Sequence, residues 1–364
     1  MLSAEGCRQR RQEFLKRLST RPQGGVLVLA GWQHLMYLAN FYVDPFSLGG
    51  GFGGLLVLRE DGHALLLHDN RLPKSVEQAQ VDERRVVTWY DGQSPGHGPH
   101  ELAMLEALRA EMGRVYPHDE IGSDLAPLVV NTLAAMRRQK YPDEIALLRR
   151  CMHATDVGHA WARANIRAGM TELDVYCGVN TACIQDAGQA VIVYGDFAVS
   201  PGPERRGGPP TSRVLKDGDM FILDYSVVMG GYRSDFTNTL VVGGNPNAEQ
   251  RRLYDACLAA MKAGEGQLRA GRSCREVYQA VRGAFEQLSL ADYFPHHAGH
   301  GLGLGHPEAP FLVRHATETL LAGDVVTLEP GLYVPGVGGI RIERNYLIGE
   351  QGFEQLSGHT IALA

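Results

Sequence analysis

No run in this 364-residue sequence approaches the roughly 18 consecutive apolar residues that a membrane-spanning helix needs, which argues against a bilayer role. Cysteine is sparse and scattered: Cys7, Cys151, Cys177, Cys183, Cys257 and Cys274 form no C-x-x-C pair and no closely spaced framework of the kind that staples small secreted domains. Buried reduced thiols are expected. The first 21 residues mix Arg8, Arg10, Arg11, Glu13, Lys16 and Arg17 with few apolar residues and lack the apolar core of a signal peptide, so a cytoplasmic protein is expected. Basic stripes are missing as well. With a formal charge of −6, no basic stripe, and a pair Arg205-Arg206 too short to count as one, a nucleic-acid partner is not expected, because phosphate binding needs grouped Lys and Arg. No H-E-x-x-H helix signals a zincin site.

What is present is globular: 44% apolar and 21% charged residues over a length that favours two domains. Gly25 to Ala30, Leu55 to Leu58, Ala64 to His68 and Val86 to Tyr90 read as strands, and His100 to Met112 and Leu125 to Lys140 as helices. Pro142 disfavours helix at Tyr141, so the chain is divided there into an α/β part, 1–138, and a second part, 139–364. In the second part helices are expected over Ile145 to Arg167, from Glu172, over Ala248 to Gly271 and over Ser273 to Leu288. Strands are expected over Met220 to Val228, Gly231 to Val242, Gly301 to Leu304, Asp324 to Glu329, Tyr333 to Val334 and Gly339 to Ile348. Helices and strands are grouped, which defines an α+β class.

Two hairpins carry the chemistry. Asp224 and Asp235 flank the Gly230-Gly231 turn and are expected to face each other across it. Glu329 and Glu343 stand symmetrically about Gly336 in a second hairpin. Opposed buried carboxylates need a shared proton or a cation. Between the hairpins, His296-His297-Ala298-Gly299-His300 runs into a glycine-rich stretch ending at His306, and an imidazole beside four carboxylates suits Mn²⁺, Co²⁺, Fe²⁺ or Zn²⁺. Four carboxylates balance two divalent ions, and a pair of ions holding a bridging hydroxide is a hydrolase site. Taken singly, each of these motifs reads as structural: a surface Asp, a strand-ending Glu-Pro-Gly, a Gly-His-Gly loop.

The ordered Asp224, Asp235, His300, Glu329, Glu343 set resembles the pita-bread metallopeptidase family of prolidase, aminopeptidase P and methionine aminopeptidase. The resemblance implies a C-terminal pita-bread catalytic domain behind a smaller N-terminal creatinase-like α/β domain, which disfavours methionine aminopeptidase. It also implies that Asp224 chelates one metal, that Asp235 and Glu343 bridge two, and that His300 and Glu329 complete the coordination of the other metal. Glu329 would relay the nucleophile's proton, His296 and His306 would stabilise the developing charge, and His296, Tyr333 and Arg341 would contact substrate, with Thr237 hydrogen-bonded behind the metals. The expected cofactor is a pair of divalent ions, Mn²⁺ ahead of Co²⁺, Zn²⁺ and Fe²⁺, in a homodimer acting on short peptides. The expected reaction is hydrolysis of Xaa-Pro dipeptides, with aminopeptidase P-like action on longer Xaa-Pro peptides as the alternative. Behind these stand a creatinase-like non-metal C–N hydrolase and an inactive binding protein.

Three positions depart from the family pattern: His306 falls six rather than seven residues after His300, Gly207 stands where a histidine is usual, and Arg344 follows Glu343 in place of Asp. Gly49, Gly51 and Gly54 match a dinucleotide fingerprint, but strand rather than helix follows, so a loop reaching a neighbouring subunit is the better account. His297, His153 and His159 are expected to be structural or exposed.

Overall fold

The computed structural model describes residues 1–20, 25–45, 53–93, 96, 98–113, 116–200 and 207–364. Gly49, Gly51 and Arg205-Arg206 therefore lie outside the described residues. The chain forms two compact units, Met1–Arg137 and Arg138–Ala364.

The first unit runs α1 (Ala4–Arg17), β1 (Val26–Leu29), α2 (Trp32–Ala39), β2 (Gly54–Arg59), β3 (Ala64–Asp69), α3 (Pro73–Gln78), β4 (Glu83–Val87), α4 (His100–Met112) and α5 (Ala126–Arg138). Its sheet has the order β1-β2-β3-β4, antiparallel until β4, which runs parallel to β3. Leu55, Val57, Leu65 and Leu67 pack against Met104 and Leu108 of α4, while Leu56, Leu58 and Leu66 are buried on the opposite face. Covering on both faces explains strands that read as unbroken apolar runs instead of alternating ones. The strand expected at Val86 to Tyr90 begins three residues earlier, because parallel pairing with β3 draws Glu83, Arg84 and Arg85 into the ladder through backbone bonds that their propensities do not announce. The arginine-rich N-terminus is a helix whose Arg10 and Arg11 are buried and donate to the carbonyls of Tyr37 (2.7 Å), Leu38 (3.0 Å) and Gln80 (2.8 Å). Gly92 to Gly96 fits the letters of the G-x-S-x-G serine elbow. Ser94 and Pro95 of that stretch lie outside the described residues, and of the flanking elements β4 ends at Val87 and α4 begins at His100.

The second unit comprises α6 (Pro142–Asn165), α7 (Glu172–Ala187), β5 (Ile192–Val199), β6 (Met220–Met229), β7 (Tyr232–Arg233), β8 (Phe236–Val241), α8 (Ala248–Glu265), α9 (Cys274–Gln287), β9 (Gly299–Gly301), β10 (Glu308–Leu312), β11 (Val325–Leu328), β12 (Gly331–Val334), β13 (Gly338–Arg341), β14 (Arg344–Ile348) and β15 (Phe353–Gln355). Side chains at Thr171 and Asn247 cap α7 and α8, each answered by the residue three positions on, which satisfies first-turn N–H groups. In one sheet β6 is flanked by β5 on one side and by β7 and β8 on the other; a second has the order β10-β9-β11-β14-β15; β12 and β13 form a hairpin. The apolar faces of α8 and α9, through Leu253, Cys257, Val277, Val281 and Phe285, share one core with Leu328, Ile340 and Ile342.

Two strand expectations change. Residues Gly339 to Ile348 do not form one strand: β13 pairs with β12, β14 pairs with β11, and Ile342-Glu343 lies at the switch between them. Strand β9 starts at Gly299, two residues before the expected Gly301, so His300 is strand and not loop. Its flanking glycines permit this, since a Cβ at Gly299 would lie 2.1 Å from the Thr327 carbonyl oxygen and one at Gly301 2.2 Å from that of Ala309. Five cysteines are buried and Cys177 is exposed, all as free thiols. No helix among the described residues is long and apolar enough to cross a membrane.

Candidate metal centre

The first hairpin differs from its expected register. Gly230 and Gly231 both have positive φ (56° and 80°), giving a two-residue turn centred between them. Asp224 therefore pairs with Thr237 instead of Asp235. Asp235 sits two residues nearer the turn, in the gap between β7 and β8, so it reaches the same face diagonally. It still converges: ligand oxygens of Asp224, Asp235 and Glu343 all lie within 4.8 Å of one another. Asp235 is held there by Asn345, whose side-chain oxygen accepts from Asp235 N at 3.2 Å and whose amide donates to the Asp235 carbonyl.

The second hairpin pairs Gly331 with Arg341 and Val334 with Gly338, symmetric about Gly336, and so brings Glu329 and Glu343 toward each other just beyond the ladder. Thr237 Oγ1 donates to Glu343 Oε2 at 2.6 Å, whereas Glu343 Oε1 is buried with no hydrogen-bond partner among the described residues. His300 completes the set. Its Nδ1 bonds to the Gly301 carbonyl at 2.9 Å, which places the ring proton there and leaves the Nε2 lone pair facing Asp235 (3.4 Å) and Glu329 (3.6 Å). Two ligands bound to one ion at ~2.0–2.2 Å stand roughly 3–3.5 Å apart. A buried orphan carboxylate oxygen, an oriented imidazole and these separations are what divalent cations require, so the five residues fit such ions.

These side chains line a cavity of about 360 Å³ that also takes in His296, His306, Tyr333 and Arg341. His306 Nε2 bonds to Asp235 Oδ2 at 2.7 Å, and Tyr194 OH lies 3.3 Å from His306 Nδ1. His297, expected away from the site, faces it instead: its Nδ1 is 3.3 Å from Glu329 Oε1. The β9 strand explains the correction, because extending the chain back through Ala298 carries His297 alongside Glu329, whose N–H bonds to the Ala298 carbonyl. His153 is exposed, and His159 is buried against Tyr225, Phe236 and His359, both as expected.

Two further site residues, Tyr194 and Asp196, lie on β5, a strand absent from the sequence reading although Val191-Ile192-Val193 carries a β-branched signal. Asp196 pairs directly with Asp224 in the ladder. The cation that this opposition needs is Arg341, whose buried guanidinium contacts Asp224, Asp196 (2.7 Å) and Tyr333 OH (2.6 Å). Asp196 also accounts for Gly207, since a Cβ there would lie 1.9 Å from Asp196 Oδ2. Gly207→Ala is therefore expected to push Asp196 off Arg341 and to destabilise the protein by about 1–3 kcal/mol, read in a denaturant titration; a variant as stable as the parent would mean that Asp196 is free to move. Arg344 points away from the centre, donating to Gln355 at 2.7 Å on the opposite face of β14.

Burial pushes the Asp224 carboxyl up to about 7 even though Arg341 pulls it down, and burial with neighbouring carboxylates holds Glu343 well above the usual range. Burial also acts to raise Glu329, but His297, His300 and His296 outweigh it and keep this carboxylate below the ordinary range. Burial drives His296 down to about 4, leaving it neutral. The metal-free pocket is thus a place where protons and cations compete for the same oxygens.

The sequence profile of metallopeptidase family M24 matches residues 146–350, and the chain belongs to that family. It is 32% identical over 237 residues to an uncharacterized peptidase of Staphylococcus saprophyticus, an alignment that spans 63% of this chain and 65% of that one. Among solved structures it resembles an Xaa-Pro dipeptidase from Bacillus anthracis (TM-score 0.78, 23% identity, 99% of each chain) and an X-Pro aminopeptidase from Thermotoga maritima (TM-score 0.77, 18% identity, 98% of each chain). These likenesses show the fold: a pita-bread domain preceded by a smaller α/β domain.

Proposed function

We propose that this chain is a metallopeptidase that hydrolyses Xaa-Pro dipeptides with two divalent ions held by Asp224, Asp235, His300, Glu329 and Glu343. The observation that supports it most is the convergence of these five donors on one cavity, with an orphaned Glu343 oxygen and His300 separations of 3.4 and 3.6 Å. Membership of family M24 and the likeness to an Xaa-Pro dipeptidase point the same way. Mn²⁺ is the first ion to test, before Co²⁺, Zn²⁺ and Fe²⁺, all compatible with mixed N/O donors.

When bound, such ions supply Lewis-acid polarisation of the scissile carbonyl and activation of water. The residues supply the rest. Glu329, kept ionised among histidines, is the proton acceptor for the attacking water and can return the proton to the leaving proline nitrogen. His306 Nε2 donates to Asp235 Oδ2, which orients that carboxylate. His296 bonds through Nδ1 to the His297 carbonyl at 2.8 Å, so in its neutral form Nε2 accepts a hydrogen bond from substrate, and a donor role on the developing charge needs a second proton. Arg341 and Tyr333, joined by their own hydrogen bond, offer a guanidinium and a hydroxyl to the substrate's polar ends. A homodimer, on the family resemblance, and a cytoplasmic location belong to the same reading.

The test is hydrolysis of an Xaa-Pro dipeptide and of a longer Xaa-Pro peptide, each with chelator and with Mn²⁺ restored. Cleavage of the dipeptide alone, lost on chelation and regained with metal, is the expected result. Equal cleavage of both peptides replaces the dipeptidase reading by an aminopeptidase one. Cleavage indifferent to chelator removes the metal.

A further inference from the structure

Overlapping the proposed site at Glu329, a second group of metal-ligating atoms is formed by His296 and His297. We infer that His296, His297 and Glu329 form an additional divalent-cation position, suited to a borderline ion such as Zn²⁺ or Co²⁺, whose occupation takes Glu329 away from catalysis.

His296 is arranged like His300. Each ring bonds through Nδ1 to the carbonyl of the next residue, His297 at 2.8 Å and Gly301 at 2.9 Å, and each therefore presents an Nε2 lone pair. For His300 that lone pair meets Asp235 and Glu329. For His296 it is buried and has no hydrogen-bond partner among the described residues, while His297 Nδ1 faces Glu329 Oε1. Burying an unbonded polar nitrogen costs about 1–3 kcal/mol, so the orphaned His296 Nε2 is not explained by packing. Ligand atoms of His296, His297 and Glu329 all lie within 4.8 Å of one another, and His297 Nδ1 stands 3.3 Å from Glu329 Oε1, the spacing of two ligands on one tetrahedral ion. Two imidazoles and one carboxylate are the donor set that prefers Zn²⁺ or Co²⁺ to Mg²⁺ or Ca²⁺, and three protein ligands leave a position for water.

The position is coupled to the catalytic one through a single atom. Glu329 Oε1 faces His297 at 3.3 Å and His300 at 3.6 Å, and it accepts from Thr327 Oγ1 at 3.1 Å. A Glu329 that already holds a catalytic ion and is drawn onto a further one between His296 and His297 has no oxygen left to accept the proton of attacking water. Excess metal then inhibits an enzyme that lower metal activates, with the falling limb set by His296 and His297. This consequence for activity rests on the proposed function; the ion site itself does not.

Equilibrium dialysis of the full chain against Co²⁺ or Zn²⁺, from micromolar to millimolar, separates the two. The parent protein is expected to take up one ion more, and more weakly, than the complement of the proposed catalytic pair. His297→Gln and His296→Gln should each weaken that ion by at least about tenfold while the tighter ions remain, since loss of even a supporting partner costs 10–100-fold. His153→Gln, which removes an exposed histidine of α6, should bind like the parent and controls for adventitious surface binding. The His297 side chain is 38% exposed, so its replacement is compatible with the fold, and a melting curve checks this. In assays on an Xaa-Pro dipeptide the inhibitory limb of the metal titration should move to higher concentration in His297→Gln. Isotherms of His297→Gln and His296→Gln that superpose on the parent's overturn the inference. Absence of peptide hydrolysis in every variant would overturn the proposed function and leave the dialysis result to decide this one.

Discussion

Replacing Asp235 by asparagine is expected to lower turnover by at least about 10²–10³-fold, the scale seen when one preorganised charge-stabilising group is removed, and to reduce bound metal from two ions per chain to one or none. The substitution conserves shape. Asp235 is buried, its backbone is clamped on both sides by Asn345, and its neighbours are His306 Nε2 at 2.7 Å and His300 Nε2 at 3.4 Å. What changes is charge and polarity: a carboxylate that can be shared between two cations becomes an amide whose NH₂ confronts imidazole nitrogens. The fold should survive, because none of the interactions that set the hairpin register depends on the side chain. Metal analysis and a melting curve run beside the assay separate loss of the site from loss of the fold. A well-folded variant with full activity and two ions would remove Asp235 from the centre.

Metal-free protein is expected to lose thermal stability as pH rises from about 6.5 to 8, and metal is expected to cancel that loss. Asp224 is pushed up to about 7 by burial, against the pull of Arg341, and burial holds Glu343 well above the usual carboxylate range. For acids whose folded values lie above their unfolded ones, stability is fully present below the unfolded value and is lost as pH rises through the folded one. His297 and His306 act in the same direction: burial lowers them, but Glu329 and Asp235 respectively raise them above the ordinary histidine value. His296 and His359, lowered to about 4 by burial, and His159, also lowered by burial, favour the opposite slope, which fades above pH 6.5 as the unfolded histidines lose their protons. Above pH 6.5 the carboxylates and the two raised histidines therefore set the slope together. A shift of a pKa unit corresponds to about 1.4 kcal/mol, so the loss is on the order of a few kcal/mol, or several degrees of melting temperature for a unit of this size. Ions bound in place of protons hold the carboxylates ionised, so the loaded protein should show a flat or rising profile. Calorimetry at the two pH values, with and without chelator, measures both slopes. A metal-free melting temperature that climbs across the window would mean that these acids are not paired as the structure has them.

Much of the centre was legible in the linear chain because its ligands sit in strands or within two residues of a strand end. Asp224, Glu329 and Glu343 are acids inside apolar runs bounded by glycine turns, and period-two alternation alone assigns them a face. The symmetry of Glu329 and Glu343 about Gly336 matches the observed ladder because a hairpin is a local structure whose register follows from its turn. The same arithmetic misplaced Asp235 by two residues, since the turn at Gly230-Gly231 is centred between the glycines and the chain leaves the ladder at Ser234. The helix His100–Met112 was readable from spacing for the same local reason, and α8 starts at the expected Ala248 but ends at Glu265, six residues before the expected Gly271.

The remainder was decided in three dimensions. Asp196 enters the site because β5 lies beside β6, a pairing across more than twenty residues of intervening chain that no local signal specifies. Arg341 is a counter-ion as well as a candidate substrate contact because it reaches across β6 to two aspartates at once. His297 faces Glu329 because β9 is inserted between β10 and β11, which fixes which histidines of a histidine-rich run point inward. Sequence alone therefore determined the residue types and the hairpins that present them, through side-chain alternation and turn chemistry that act over a few residues. Only the tertiary structure decided which charges meet across strands, because that depends on backbone pairing between segments far apart in the chain, and such pairing leaves no mark on the residues it joins.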